Sequence, residues 1–367
     1  MGTIEERIKQ AEDEIQKTEY NKKSSHHIGK LKAKVAKFKE DLEKARSKGG
    51  TGKAFAVKKS GHASVALLGP PNVGKSTLIN RMTDACSRIG DYAFTTRDIV
   101  PGILAYGGAN MQLLDMPGIL GGASAGRGRG KEVLGVARSA DLLVLYTDVF
   151  NSEIAGIEID AREVGIRMNG RPPDITIAKK ERGGIAVSST VKMTKLDDTT
   201  ARGILNEFGI VNADLVFRMN ATAEDLIDSL STKCVYLPAI VVINKIDLVT
   251  AAELKGLVSR YKTYKVYPIS ADKGRGIEEL KKGMFEALEF RRVYLKPQGG
   301  DVDRSKPLIL KKGGTVGDAC DAVHRDIRKK FRYALVWGTS VKFPGQRVGL
   351  EHKLDDNDVL SMIIRMG

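Results

Sequence analysis

One octapeptide constrains this chain more than any other feature: Gly69-Pro70-Pro71-Asn72-Val73-Gly74-Lys75-Ser76. It matches G-x-x-x-x-G-K-[ST]. It follows the apolar run Ala63–Leu68 and opens a helical stretch over Thr77–Asp84, the strand-then-helix setting the motif requires. There the glycines let backbone N–H groups converge on phosphate oxygens at a helix N-terminus. Lys75 brings positive charge to β- and γ-phosphates, and the Ser76 hydroxyl ligates Mg²⁺. Thr77, next in the first turn, joins the same predicted nucleotide-binding set. Further short apolar runs, Met111–Leu114, Leu142–Tyr146 and Ala239–Ile243, alternate with helical stretches and predict a parallel α/β sheet.

The other motifs follow in a fixed order. Asp115-Met116-Pro117-Gly118 comes directly after a strand, placing Asp115 to hold Mg²⁺ through water and the Gly118 N–H to sense a γ-phosphate. Asn244-Lys245-Ile246-Asp247 ends the run Ala239–Ile243, at the carboxyl edge where open α/β sheets bind ligands. A carboxylate at Asp247 accepts from both N1–H and the exocyclic amino group of guanine. Adenine offers neither in that geometry, so GTP is predicted over ATP. Ser270-Ala271 supplies the loop whose backbone meets the base. Each motif is weak or moderate alone; the ordered set is specific.

Between the phosphate loop and Asp115, Phe94-Thr95-Thr96-Arg97-Asp98 offers a threonine to complete Mg²⁺ coordination, Thr96 in the first instance and Thr95 as the fallback. Gly118 is followed by Ile119, where a side chain that orients attacking water would be glutamine. Something else must position the water. Asn72 offers an amide oxygen beside the β–γ bridge, where K⁺ would neutralise developing charge as an arginine finger does. The alternative is that Asn72 only shapes the loop. The predicted catalytic set is therefore Lys75, Asn72, Thr96 and Gly118. A glycine-rich run from Gly121 to Lys131 reads as a switch, with Arg127 and Arg129 facing phosphate, RNA or solvent.

Spacing shows what surrounds this core. Asp115 and Asn244 stand too far apart for a minimal GTP-binding unit of about 160–170 residues, so an inserted subdomain is predicted at about 152–232. Its signals are a Gly183-Gly184 turn, a strand over Ile185–Val191, and helices near Thr199–Phe208 and Thr222–Leu230. The first 48 residues read as a helical hairpin: Ile4, Ile8, Ala11 and Ile15, then Leu31, Val35, Phe38 and Leu42, recur at heptad-like steps. The last 75 or so residues read as a small α+β module. It has strands at Pro307–Leu310, Tyr333–Trp337 and Val359–Ile364 and a helix from Thr315 to about Phe331; Trp337, inside an apolar strand, reads as core, with a base-stacking platform as the alternative. The predicted domains are 1–60, 61–289 and 290–367.

Charge divides along the same lines. The formal net charge is +15, with +7 in residues 1–60, +1 in 61–289 and +7 in 290–367. Polyanion binding therefore belongs to the flanks, and Lys30, Lys32, Lys34, Lys37, Lys39, Lys44 and Lys48 crowd the hairpin's second helix. Apolar runs fall far short of the roughly 20 residues that span a bilayer, and no charged-then-apolar signal segment opens the chain. Cys86, Cys234 and Cys320 lie too far apart for a disulfide framework or zinc site and read as buried apolar residues, which fits a reducing cytoplasm. The five histidines show no metal-ligand spacing.

Taken together, the chain resembles the developmentally regulated GTP-binding protein (DRG) family, which is related to the Obg-type GTPases. The resemblance covers nearly the whole chain and rests on Gly69–Ser76, Phe94-Thr95-Thr96, Asp115–Gly118 with Gly-Arg-Gly-Arg-Gly-Lys at 126–131, Gly165–Asp174, Asn220–Asp228 and Tyr333–Gly338. It implies an N-terminal helical region, a G domain holding an inserted S5-like α+β subdomain, and a C-terminal β-grasp (TGS) domain. It also implies a slow, K⁺-stimulated, Mg²⁺-dependent GTPase associated with ribosomes and translation. Eukaryotic members work with a dedicated protein partner. Asn72 and Thr96-Arg97-Asp98 depart from the eukaryotic pattern and point to the archaeal side.

The expectation is a cytoplasmic enzyme that hydrolyses GTP to GDP and phosphate, docking on ribosomal RNA through its basic flanks. The first rival is a nucleotide-responsive RNA or ribosome scaffold with little turnover, motivated by Ile119. An RNA-modifying or tRNA-handling enzyme is the second, and no second catalytic cluster supports it.

Overall fold

Ala63–Leu68 is a strand buried along its whole length, as its unbroken apolar run predicts. In the computed structural model it is central to a six-stranded sheet. The order is Lys265–Pro268, Ala239–Asn244, Leu142–Asp148, Ala63–Leu68, Ala109–Asp115, Val100–Tyr106. All neighbours run parallel except the last pair, an antiparallel hairpin. Register aligns the carboxyl ends: Leu67 lies beside Asp115, Asn244 beside Asp148, and Ile243 beside Pro268. Every chemistry-bearing motif predicted for strand ends therefore leaves the sheet at one edge. The structure describes residues 3–19, 24–48, 60–83, 100–117, 129–151, 154–231 and 234–365.

The chain divides into two compact units, Phe55–Val164 with Leu237–Gly367, and Met1–Ala54 with Gly165–Tyr236. The first holds the six-stranded sheet and the C-terminal module. Four of its strands escaped sequence reading, Lys265–Pro268 and the short Gln346–Val348 at sheet edges among them. Val100–Tyr106 contains Pro101 and Gly102, which punctuate a strand pattern but are tolerated at an edge. Phe290–Leu295 carries Arg291 and Arg292 inside its run.

In the C-terminal module the order is Leu308–Lys311, Phe290–Leu295, Asp358–Ile364, Phe331–Trp337, Gln346–Val348. Its helix starts as predicted, with Thr315 and Asp318 closing a capping box. It does not run to Phe331. His324 is extended and caps a second helix, Arg325–Lys330, so the chain turns there. Ala334 and Val336 point into a core with Val316, Cys320 and Leu360. Trp337, expected in that core, lies on the opposite side by strand alternation and is half-buried.

In the second unit, the hairpin helices Ile4–Lys17 and Ser25–Lys48 pack Ile8 and Ala11 against Leu31 and Val35. Segment 165–236 forms a three-stranded sheet, Ile175–Lys179, Ala213–Phe217, Ile185–Ser189, with helices Asp198–Glu207 and Ala223–Leu230. Ala33 of the hairpin belongs to the core that Ile204, Leu205 and Phe217 build. The hairpin expected as a separate flank thus shares its unit with this segment, because its second helix has two apolar faces to cover. The range 152–232 expected for the insertion is itself divided. Helix Ala155–Glu163 stays with the large sheet, where the Tyr264 hydroxyl donates to Glu158 at 2.5 Å. The insertion's two ends meet, Val235 N–H donating to the Gly165 carbonyl at 2.9 Å.

Candidate nucleotide-binding site

The phosphate loop is shaped by residues that its backbone demands. Gly69 passes so close to Tyr146 that a Cβ would lie 2.0 Å from the Tyr146 carbonyl oxygen. Asn72 and Gly74 both have positive φ, 63° and 96°, conformations that asparagine and glycine tolerate best. Helix Lys75–Met82 begins immediately after, with its first N–H groups at the loop. Pro70 and Val73 are buried beneath it, while Pro71, Asn72, Ser76 and Thr77 are exposed.

Lys75 is only 7% exposed, and its ammonium donates to the Gly69 carbonyl at 3.1 Å and the Pro70 carbonyl at 2.7 Å. Burial pushes its pKa below the ordinary value, and the nearby Asp115 carboxylate opposes this. Ser76 Oγ donates to Asp115 Oδ2 at 2.5 Å. A hydroxyl and a carboxylate side by side at the loop are hard oxygen donors, the set Mg²⁺ takes together with phosphate oxygens. The residues present therefore fit the metal the motif implies. Among the described residues no cluster of three His, Cys, Asp or Glu side chains offers a rival metal site.

Asn244 ties three segments together. It is 4% exposed, its Nδ2 donates to the Val73 carbonyl at 2.9 Å, and its Oδ1 accepts from Ala271 N–H at 3.0 Å. Lys245 follows with positive φ, 65°, and its ammonium lies 2.6 Å from Asp148 Oδ2 and 3.4 Å from the Asn72 carbonyl. Asp247 stands beside Ser270 and Lys273, the latter at 3.0 Å. Hydrogen bonds from the Ser270 hydroxyl, and then from Lys273, hold its carboxyl down at about 2. Asp247 is thus an acceptor at any physiological pH, as guanine recognition requires. Gly69–Ser76, Asp115, Asn244, Lys245, Asp247, Ser270 and Ala271 accordingly meet at one sheet edge. Thr95, Thr96, Gly118, Ile119 and Arg127 lie outside the described residues, as does the side chain of Arg129.

Two residues of this network were absent from the sequence reading. Asp148, 4% exposed, accepts from Phe150 and Asn151 N–H groups at 3.0 and 2.8 Å while holding Lys245. The Tyr146 hydroxyl donates to the Gly74 carbonyl at 3.2 Å. The available signal was a Thr-Asp pair ending an apolar run.

Comparison with known proteins gives consistent results. The family profile described as 50S ribosome-binding GTPase matches residues 64–180. Its C-terminal region matches 182–290, and the TGS domain profile matches 291–364. An uncharacterized GTP-binding protein of Methanocaldococcus jannaschii is 50% identical over 365 residues, 99% of this chain and 93% of that protein. Developmentally-regulated G-protein 3 of Arabidopsis thaliana is 43% identical over 99% of both chains. Ribosome-interacting GTPase 1 of Saccharomyces cerevisiae is 43% identical over 99% of this chain and 100% of that one.

Proposed function

The chain belongs to the developmentally regulated GTP-binding proteins, and on that footing we propose that it hydrolyses GTP to GDP and phosphate and uses the nucleotide state to control docking on ribosomal RNA. The observation that carries this reading is the closed network at the sheet edge, in which loop, Asp115, Asn244–Asp247 and Ser270–Ala271 hold one another.

Each residue has a definable role. The loop's backbone and Lys75 take the phosphates, and Asp247 with the Ala271 region takes the base. Ser76, Asp115 and Thr96 would hold Mg²⁺, which supplies charge neutralisation at the phosphates. Positioning and electrostatics carry the reaction, since no side chain stands as a general base among the described residues. Gly118 would sense the γ-phosphate. The exposed amide of Asn72 would hold a stimulatory K⁺. Its positive φ also supports the simpler role of shaping the loop.

Similarity to the yeast ribosome-interacting GTPase and to the 50S ribosome-binding GTPase profile supports ribosome association, as does the basic charge of residues 290–367. The cytoplasm is the matching compartment, and no described helix is long and apolar enough to cross a membrane. A dedicated protein partner belongs to the same proposal.

Turnover in KCl against NaCl, with and without ribosomes, tests the enzyme reading. Stimulation by K⁺ or ribosomes is expected, and Lys75→Ala should abolish hydrolysis. Asn72→Gly keeps the left-handed backbone and removes only the amide, so it should cancel the K⁺ effect alone. GTP binding without turnover in any condition would favour the scaffold reading that Ile119 motivates.

A further inference from the structure

The basic excess of the N-terminal hairpin is partly spent internally. Lys32 pairs with Glu224 at 2.6 Å, Lys39 with Glu12 at 2.8 Å, and Lys37 donates to the Glu207 carbonyl at 2.7 Å. On the C-terminal module Arg292, Lys311, Lys312 and Arg328 are likewise paired with carboxylates, while three other cations stand over aromatic rings of one sheet face.

Strand alternation puts Tyr333 and Trp337 on the sheet face away from Ala334 and Val336, which fill the core. Register places Tyr294 on that same face: Trp337 and Tyr294 both pair with Val359, from either side. Each of the three rings is half-buried and each lies under a cation. Arg347 is 4.0 Å from the Tyr333 centroid, Lys296 5.1 Å from Trp337, and Arg304 5.5 Å from Tyr294. Arg304 and Arg347 are exposed. Nearby Asp303 is engaged in its own turn with Ser305, and Asp356 is held by Arg292.

We propose that this sheet face binds single-stranded RNA, stacking unpaired bases on Tyr333, Trp337 and Tyr294 while Arg347, Lys296 and Arg304 turn to the phosphates. The inference deepens the RNA-docking reading and rests on it. Half-buried aromatic rings set under cations along one part of a sheet face suit splayed bases, which present a π-face and a phosphate together. A duplex keeps its bases stacked inside and leaves the rings without a role. An acidic protein would use the cations and ignore the rings. Exposed cation–ring contacts are weak, so exchanging them for base stacking costs little.

Trp337 is the only tryptophan in the chain, so its fluorescence reports this face directly. The full-length protein is titrated with an unstructured oligouridine, a duplex RNA of equal length, and polyglutamate. Oligouridine is expected to quench Trp337 emission and to bind more tightly than the other two. Tyr333→Ser should weaken that binding about tenfold or more. Arg347→Gln, at an exposed position, should lower the salt slope by about 0.7. GTP affinity should stay unchanged in both variants. Oligouridine binding with no change in Trp337 emission, preference for duplex, equal binding of polyglutamate, or an unaltered Tyr333→Ser affinity would each overturn the proposal.

Ribosome cosedimentation of the wild-type chain separates the two readings. If the chain cosediments and Trp337 stays silent to oligouridine, the stacking face fails alone. If Trp337 is quenched and the chain never cosediments, the stacking face stands and ribosome docking falls.

Discussion

In the proposed function, Asp247 is the single side chain that commits the site to one base. Its carboxyl is held at about 2 by Ser270 and Lys273, so it remains ionised well below the ordinary carboxylate range. Asp247→Asn removes a charged acceptor, and GTP affinity is expected to fall about ten- to hundredfold with the preference over ATP largely lost, as competition binding would show. The pH dependence has a definite sign. A depressed native pKa means the contribution to stability is complete above the unfolded value near 3.9 and is lost as pH falls toward 2. Titrating unfolding between pH 5 and 2 in wild type and Asp247→Asn checks this: other depressed carboxyls such as Asp318 and Asp356 destabilise both, and the loss should be larger in the wild type. Asp148 works one step back, holding the Lys245 ammonium at 2.6 Å. Asp148→Asn can keep an oxygen acceptor for Phe150 and Asn151 but removes the charge opposite Lys245, so GTP affinity should fall about tenfold with the fold intact. Asp247 was legible because base chemistry prescribes it within a contiguous motif. Asp148 was not, because its role exists only once register sets it beside Asn244.

At the scale of elements, the strands buried on both faces, such as Ala63–Leu68 and Ala239–Asn244, were all legible in sequence, and so were some half-exposed ones with an apolar run, such as Leu308–Lys311 and Ile185–Ser189. The illegible ones are exposed on an edge or interrupted by charge, where the hydrophobic period is no longer the controlling force. Val100–Tyr106 and Gln346–Val348 are both edge strands. Helix starts were clearer than helix ends. The Thr315 and Asp318 box is local chemistry three residues apart, whereas the break at His324 answers to where Phe331 must rejoin the sheet. Thr315→Ala should cost about 1 kcal/mol. Amide exchange through Val316–Val323 should accelerate roughly fivefold, by hydrogen-exchange mass spectrometry.

On the scale of the whole molecule, the charge division drawn from sequence takes on a finer grain. The hairpin's lysines are partly committed within their own unit, and the C-terminal sheet carries cations set over rings. Nucleotide binding should stabilise the unit that holds the site. GDP at a hundred times its dissociation constant is expected to add about 2.7 kcal/mol, read as slowed exchange in Ala63–Leu68. The insertion was legible as a gap between motifs, but its pairing with the hairpin was not, since no local pattern says which distant helix covers Ala33. That pairing sets a timetable for synthesis. Ala33 leaves the ribosome far ahead of Ile204, and at about 5–20 residues per second the hairpin's second apolar face waits roughly ten to thirty seconds for the chain that will cover it. During synthesis the chain therefore carries a helix whose second apolar face is uncovered beside the ribosome that makes it.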